Sequence, residues 1–193
     1  MQTTTETTTF SITELYADVD IEERVKAMVV RLMSKKRHKK EWQAFSDLSE
    51  GFRKGLTQSQ QRFYSAQLEC NSVTAIENYK VYYRVGLCCG AIMALTGLNL
   101  LDSDFRNGLD RISYRMIKAS ACYAEHWGMA RLYDDGLRTS LSEEQKEVDF
   151  ELSDLSDSAK FSMIKKLERV GRRDGFRLAR ERGIPSVAYL LGV

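Results

Sequence analysis

One proline in 193 residues is the chain's most conspicuous shortage. Proline breaks helix interiors and punctuates loop-rich β folds, so its scarcity leaves long helices uninterrupted. Histidine is nearly as rare, at His38 and His126. The four cysteines, Cys70, Cys88, Cys89 and Cys122, include no C-x-x-C pair. Neither a redox motif nor a four-thiolate zinc site is therefore spelled out. No apolar run reaches membrane-spanning length. The nearest, VGLCCGAIMALTGLNLL from Val85 to Leu101, is interrupted by small residues, Thr and Asn, and reads as a buried core helix. There is no P-loop, no glycine fingerprint after a strand, no G-x-S-x-G and no Glu-x-x-His. Nothing thus speaks for an enzyme, a cofactor or a metal. A net charge of +2 gives no bulk argument for nucleic acid or membrane. The start, MQTTTETTTF, has no charged-then-apolar signal pattern and reads as a frayed Thr-rich leader over residues 1–10. These absences point to a reduced, cytoplasmic protein with buried thiols.

What is present is helical periodicity. Hydrophobic residues make up 43%, enough for one core. Ile21, Val25, Met28 and Leu32 share one face of a first helix, with Asp20 placed to cap it. Trp42, Phe45, Leu48 and Phe52 make a second stripe, with Gly51 and Gly55 as stop signals. Thr57–Gln60 reads as a capping box opening a run to Thr96, which Gly97 ends. Gly86-x-x-x-Gly90 in that run is a small-residue patch for tight helix packing. Asp102 or Ser103 opens a helix carrying Phe105, Leu109, Ile112, Met116, Ala119, Tyr123 and Ala130. A second capping box at Ser140–Glu143 starts a helix with Val148, Leu152 and Leu155. Asp157 or Ser158 opens a last helix with Phe161, Ile164, Leu167, Val170, Gly175 and Leu178, stopped by Gly183–Pro185. The apolar tail SVAYLLGV reads as docked. No run alternates as a strand does, so the expectation is all-α, with six or seven helices.

One phrase is written twice. WQAFSDLSEGFRKGLTQSQQ starts at Trp42, and WGMARLYDDGLRTSLSEEQK starts at Trp127, 85 residues later. Trp42/Trp127, Gly51/Gly136, Arg53/Arg138, Leu56/Leu141 and Gln60/Gln145 coincide. Each phrase reads as a Trp-started helix, a glycine break and a capped new helix. YYRVG (82–86) and GFRLA (175–179) then close the two copies if the second carries about eight extra residues. The expectation is a bundle of two similar helical hairpins around a pseudo-twofold axis, each unable to bury its apolar face alone. One domain spans 11–193, with halves 11–100 and 101–193.

The stretches FSITELYADVDIEERV, EGFRKGLTQSQQ and YYRVGLCCGAIMAL, with LSEEQK and DGFRLA later, resemble a small uncharacterised helical family of gut bacteria and their mobile elements. Val19-Asp20-Ile21 replaces that family's proline-bearing turn, and Leu95 stands where an acid is usual. The resemblance brings no catalytic residues. It implies a phage or mobile-element context, in which small helical proteins inhibit host defence, as anti-CRISPR proteins do, or act as regulators.

Among chemistry-bearing residues, Cys122 and His126 share a helix face and make half a zinc site with no second pair in sequence, so packing is the simpler reading. His38 reads as solvated. Cys88 and Cys89 point about 100° apart on a helix and read as buried small residues rather than nucleophiles. Asp134 and Asp135 fall at the expected helix break. Charge, by contrast, is segregated. Arg31 to Lys40 holds six basic residues and no acid, and Asp134 to Asp157 holds nine acids against two bases. The final helix sets Lys160, Lys165, Lys166, Arg169, Arg172, Arg173, Arg177, Arg180 and Arg182 against three acids. Solvated helix faces explain such runs equally well. The functional reading is a non-enzymatic binder whose Lys36, Arg37, Lys40, Lys165, Arg169, Arg172, Arg173 and Arg177 face a protein or ribonucleoprotein, most concretely a CRISPR effector nuclease. The alternatives are a dimeric nucleic-acid-binding regulator using the same cations, and a metal- or thiol-dependent enzyme. The acidic stretch is also suited to the basic helix of a second copy, which makes a homodimer a further candidate.

Overall fold

Six helices occur among the described residues and bury most of the expected apolar stripes. In the helix that opens at Ser103, however, Ile112, Met116 and Ala119 are exposed, and Ser113 and Ile117 are buried in their place. A computed structural model describes residues 19–97, 103–184 and 186, without the side chains of 36–38, 103–107 and 109. The leader over 1–10 and the tail from 187 lie outside the described residues, as do Asp102 and the side chains of Lys36, Arg37, His38, Phe105 and Leu109. The helices are α1 (Ile21–Met33), α2 (Lys36–Lys54), α3 (Gln58–Thr96), α4 (Ser103–Ala119), α5 (Ala121–Arg138) and α6 (Glu143–Glu181). No strand occurs among the described residues.

The helix starts follow local chemistry. Asp20 accepts the Glu23 N–H at 2.9 Å. Thr57 with Gln60 forms a complete capping box at the start of α3. Ser142 with Gln145 forms one at the start of α6, two residues later than the expected Ser140–Glu143, because Ser140 instead donates its hydroxyl to the Leu137 carbonyl in the turn that ends α5. Gly97, with φ of 67°, ends α3 in the left-handed conformation that a glycine adopts freely.

Several expected boundaries move. The helix expected to run from Phe105 to Ala130 is broken at Ser120, whose hydroxyl caps α5 by accepting the Tyr123 N–H at 3.3 Å. Gly51, Asp134, Asp135 and Gly136 lie inside helices; the first break falls at Gly55, the other expected stop, and the second falls later than expected, at Thr139–Leu141. No helix starts at Asp157 or Ser158, because α6 runs unbroken through both. They face solvent at a cost of roughly 0.5 kcal/mol each, while Ala159 and Met163 beyond them are buried.

The centre is a parallel pair, α3 beside α6, each of 39 residues and roughly 58 Å long. At the N-terminal end Gln60 Nε2 donates to the Ser140 carbonyl at 2.6 Å, and Gln145 Nε2 donates to the Gly55 carbonyl at 3.0 Å. Further along, the backbones touch. A Cβ on Gly86 would overlap the Glu168 carbonyl, and one on Gly171 the Tyr83 carbonyl. One on Gly90 would overlap the Arg172 carbonyl, and one on Gly175 the Leu87 carbonyl. Each contact becomes its counterpart when the partners exchange and shift by 85 residues. The matching sequence is Arg84-Val85-Gly86 with Gly90 against Arg169-Val170-Gly171 with Gly175. The expected eight-residue insertion is therefore absent. The Arg-Val-Gly sequence recurs at 169–171, where close approach requires glycine.

The outer helices do not repeat this reciprocity. α1 buries Ile21, Val25, Met28 and Leu32 against Tyr79, Tyr83 and Leu87 of α3 and Met163 and Leu167 of α6. α4 instead rests mainly on α3 and α5. The short helices also pack crosswise, α5 along α3 and α2 along α6, so the halves interleave rather than closing as two self-contained hairpins. Phe52, Leu56, Tyr64, Leu137, Leu141 and Leu152 close the end where the two caps meet.

The glycine interlock separates two otherwise similar substitutions. Gly90→Ala forces a methyl group into the Arg172 carbonyl and should cost about 2 kcal/mol or more. Gly51→Ala, in a helix interior with no neighbour within 4 Å, should gain about 0.5–1 kcal/mol. Urea unfolding of both variants measures the difference, and equal effects would contradict the close approach.

Candidate macromolecular interface

On α6, residues at three- and four-residue steps form stripes with distinct fates. Ala159, Met163, Leu167, Gly171, Gly175 and Ala179 are buried against α3 and its neighbours. Phe161, expected in this apolar stripe, instead stands 57% exposed, and Phe176 is exposed at 39%. Both project to solvent on the same side as Lys165, Arg169, Arg173 and Arg180, all exposed. The Lys165 ammonium lies 4.1 Å from the Phe161 ring centroid, and the Arg180 guanidinium 5.8 Å from that of Phe176. Each pair is an aromatic residue with a cation four positions later, the spacing that brings two side chains together on a helix. Met93 of α3 joins Arg169, Arg172, Arg173 and Phe176 around a shallow hollow of about 410 Å³.

The expected cations divide accordingly. Lys165, Arg169 and Arg173 share the exposed stripe. Arg172 lies at its edge, partly neutralised by Glu168 at 3.6 Å. Arg177 pairs with Glu181 at 3.9 Å and borders a different hollow, with Arg24, Tyr83 and Asp174. Lys40 is exposed on α2 and outside the stripe. Arg180, Phe161 and Phe176 complete the surface and are not among the site residues expected from the sequence. Their aromatic-then-cation spacing is visible there, but a phenylalanine in helical register reads equally well as core.

Other clusters act structurally. Asp174 accepts hydrogen bonds from Tyr83 Oη at 2.8 Å and Arg24 Nη2 at 3.0 Å, joining α1, α3 and α6. Burial and the neighbouring carboxylate push the Tyr83 hydroxyl up to about 12. Burial likewise pushes the Cys88 and Cys89 thiols up to about 11 and about 12, which disfavours the nucleophilic thiolate. Against the expectation of buried thiols, only Cys89 is buried; Cys70 and Cys88 are half-buried and Cys122 is exposed. Its carbonyl accepts a hydrogen bond from His126 Nδ1 at 2.9 Å. No cluster of three or more potential metal ligands occurs among the described residues.

Trp42 and Trp127 both line a cleft of about 520 Å³ walled by α1, α2, α3, α5 and α6. The Trp42 indole N–H is buried without a hydrogen-bond acceptor among the described residues. Asp149 lines the same cleft and is almost fully buried. Desolvation holds its carboxyl above the usual range, against the pull of Arg138, whose Nε lies 3.3 Å from Oδ2.

No protein-family model, curated protein or solved structure matches the chain. No helix among the described residues is long and apolar enough to cross a membrane.

The raised Asp149 carboxyl gives a signed expectation. Folding raises its affinity for a proton, so its contribution to stability is fully present below the ordinary aspartate value. That contribution is lost as pH rises through the raised value. Asp149→Asn should therefore stabilise the protein at neutral pH, and the gain should shrink as pH falls into the carboxylate range. Chemical denaturation at several pH values checks this; a gain that grows on acidification would contradict it.

Proposed function

We propose that the protein is a non-enzymatic binder that lays the C-terminal half of α6 along exposed nucleic acid in a ribonucleoprotein. The most concrete target is the guide-loaded effector of a CRISPR nuclease, whose nucleic-acid handling it would block. The observation that carries this reading is the alternation of Phe161, Lys165, Arg169, Arg173, Phe176 and Arg180 on one solvent-facing side of a rigid helix. Cations spaced along a helix can follow phosphates and release counterions. Exposed phenyl rings offer stacking faces to unpaired bases and, in the free protein, orient the cations that rest on them. The resemblance to a helical family of mobile elements supports the defence-inhibitor context. The raised thiol values of Cys88 and Cys89 weigh against a thiol enzyme.

The test is binding to guide-loaded effector, guide RNA alone and naked duplex DNA across a salt series. Tight binding to the loaded effector with a steep salt slope is expected. Arg169→Ala with Arg173→Ala should lower the slope by about 2, roughly one for each phosphate left without its arginine. Phe176→Ala should weaken binding to single strands more than to duplex. Equal affinity for naked duplex would favour the regulator reading, and no binding at low salt would end the proposal.

A further inference from the structure

The outward side of α6 carries a second pattern along its whole length. Glu147, Phe150, Glu151, Asp154, Phe161, Lys165, Arg169, Arg173, Phe176 and Arg180 are all exposed. The N-terminal half of this side is acidic and the C-terminal half basic, with exposed phenylalanines in both and Phe161 near the middle. Glu147, Glu151, Asp154, Arg169 and Arg173 form no ion pair with any described residue, although acids and bases elsewhere on the helix do. A helix side with this order of charge is complementary to itself when reversed, as a twofold interface requires.

We infer that α6 is the docking surface for a second copy of this chain, packed antiparallel across a twofold axis near residue 163. In that register Phe150 meets Phe176 of the second copy. Asp154 meets Arg172, Asp157 meets Arg169, and Phe161 stacks beside Lys165. A parallel arrangement would instead set acid against acid and base against base. The stripe from Glu147 to Arg180 is about 50 Å long. With a helix-wide contact, about 500–600 Å² is buried per copy, the lower edge of the range for specific complexes. The dimer is therefore weak and salt-sensitive. This inference does not depend on the proposed function. Where both hold, nucleic acid and the second copy compete for Arg169, Arg172 and Arg173.

Sedimentation velocity on nucleic-acid-free protein tests it, over a concentration series at low and high salt. The parent should shift toward dimer with concentration at low salt. One variant carries Glu151→Lys, Asp154→Lys and Asp157→Lys, and another Arg169→Glu, Arg172→Glu and Arg173→Glu. Each alone should lose at least about 100-fold in self-association, because like charges then face each other. An equimolar mixture should recover a dimer within about tenfold of the parent, because each variant's reversed half now meets its complement. Circular dichroism confirms that both variants fold. A parent that stays monomeric at low salt, a mixture that stays monomeric, variants that dimerise like the parent, or a dimer that appears only with added nucleic acid would each overturn the inference.

Discussion

Four glycines set the distance between the two long helices. Gly86 and Gly90 of α3 meet carbonyls of α6, and Gly171 and Gly175 of α6 meet carbonyls of α3. Side chains at these points would hold the axes apart, so the absence of four Cβ atoms brings the backbones together. This contact also fixes the register. With α3 and α6 aligned there, their N-termini lie level, and Gln60 and Gln145 each serve both their own capping box and the other segment's turn. Each such bond satisfies a carbonyl left over at a helix C-terminus.

The remaining architecture covers what that pair leaves open. α1 brings four apolar residues to one side of it, and Tyr83 and Arg24 converge on Asp174 at its edge. α2 and α5 cross over to the opposite long helix, which ties the two segments more firmly than two self-packed hairpins would. One side of α6 remains in water from end to end. This long, solvent-facing helix side carries ordered charge, and both nucleic-acid binding and self-association would use it.

Much of this is legible in the sequence. The Thr57–Gln60 capping box, the Asp20 cap, the Gly97 stop and the apolar face of α1 follow from local side-chain chemistry that tertiary context leaves unchanged, whereas the second box lies two residues beyond its expected place. The doubled phrase locates the two crossover turns. Local signals mislead where they compete with packing. Asp157-Ser158 resembles a helix start, yet the buried residues on either side carry α6 through it. Gly51 and Gly136 resemble stops, but a single glycine costs only about 1 kcal/mol inside a packed helix. The RVG match at 84–86 and 169–171 is short, and the looser pairing of YYRVG with GFRLA hides it until the helix contacts show which glycines correspond. Phe161 fits the helical apolar rhythm as well as Leu167 does, and only the position of α3 decides which of them is covered. Conversely, charge segregation is plain in the sequence, but the alignment of acids and then bases along one side of α6 needs that helix to be continuous.

The parallel, level alignment of α3 and α6 is open to direct measurement. Spin labels on exposed positions 59 and 144, in a cysteine-substituted background, report the separation of the two N-termini by pulsed electron resonance. A second pair, at 59 and 180, reports the distance along the bundle. The first pair should be close, within about 20 Å, and the second about 55 Å apart, the rise of about 36 helical residues. A long distance for the first pair with a short one for the second would mean that the helices run antiparallel, and the glycine-locked register would be wrong.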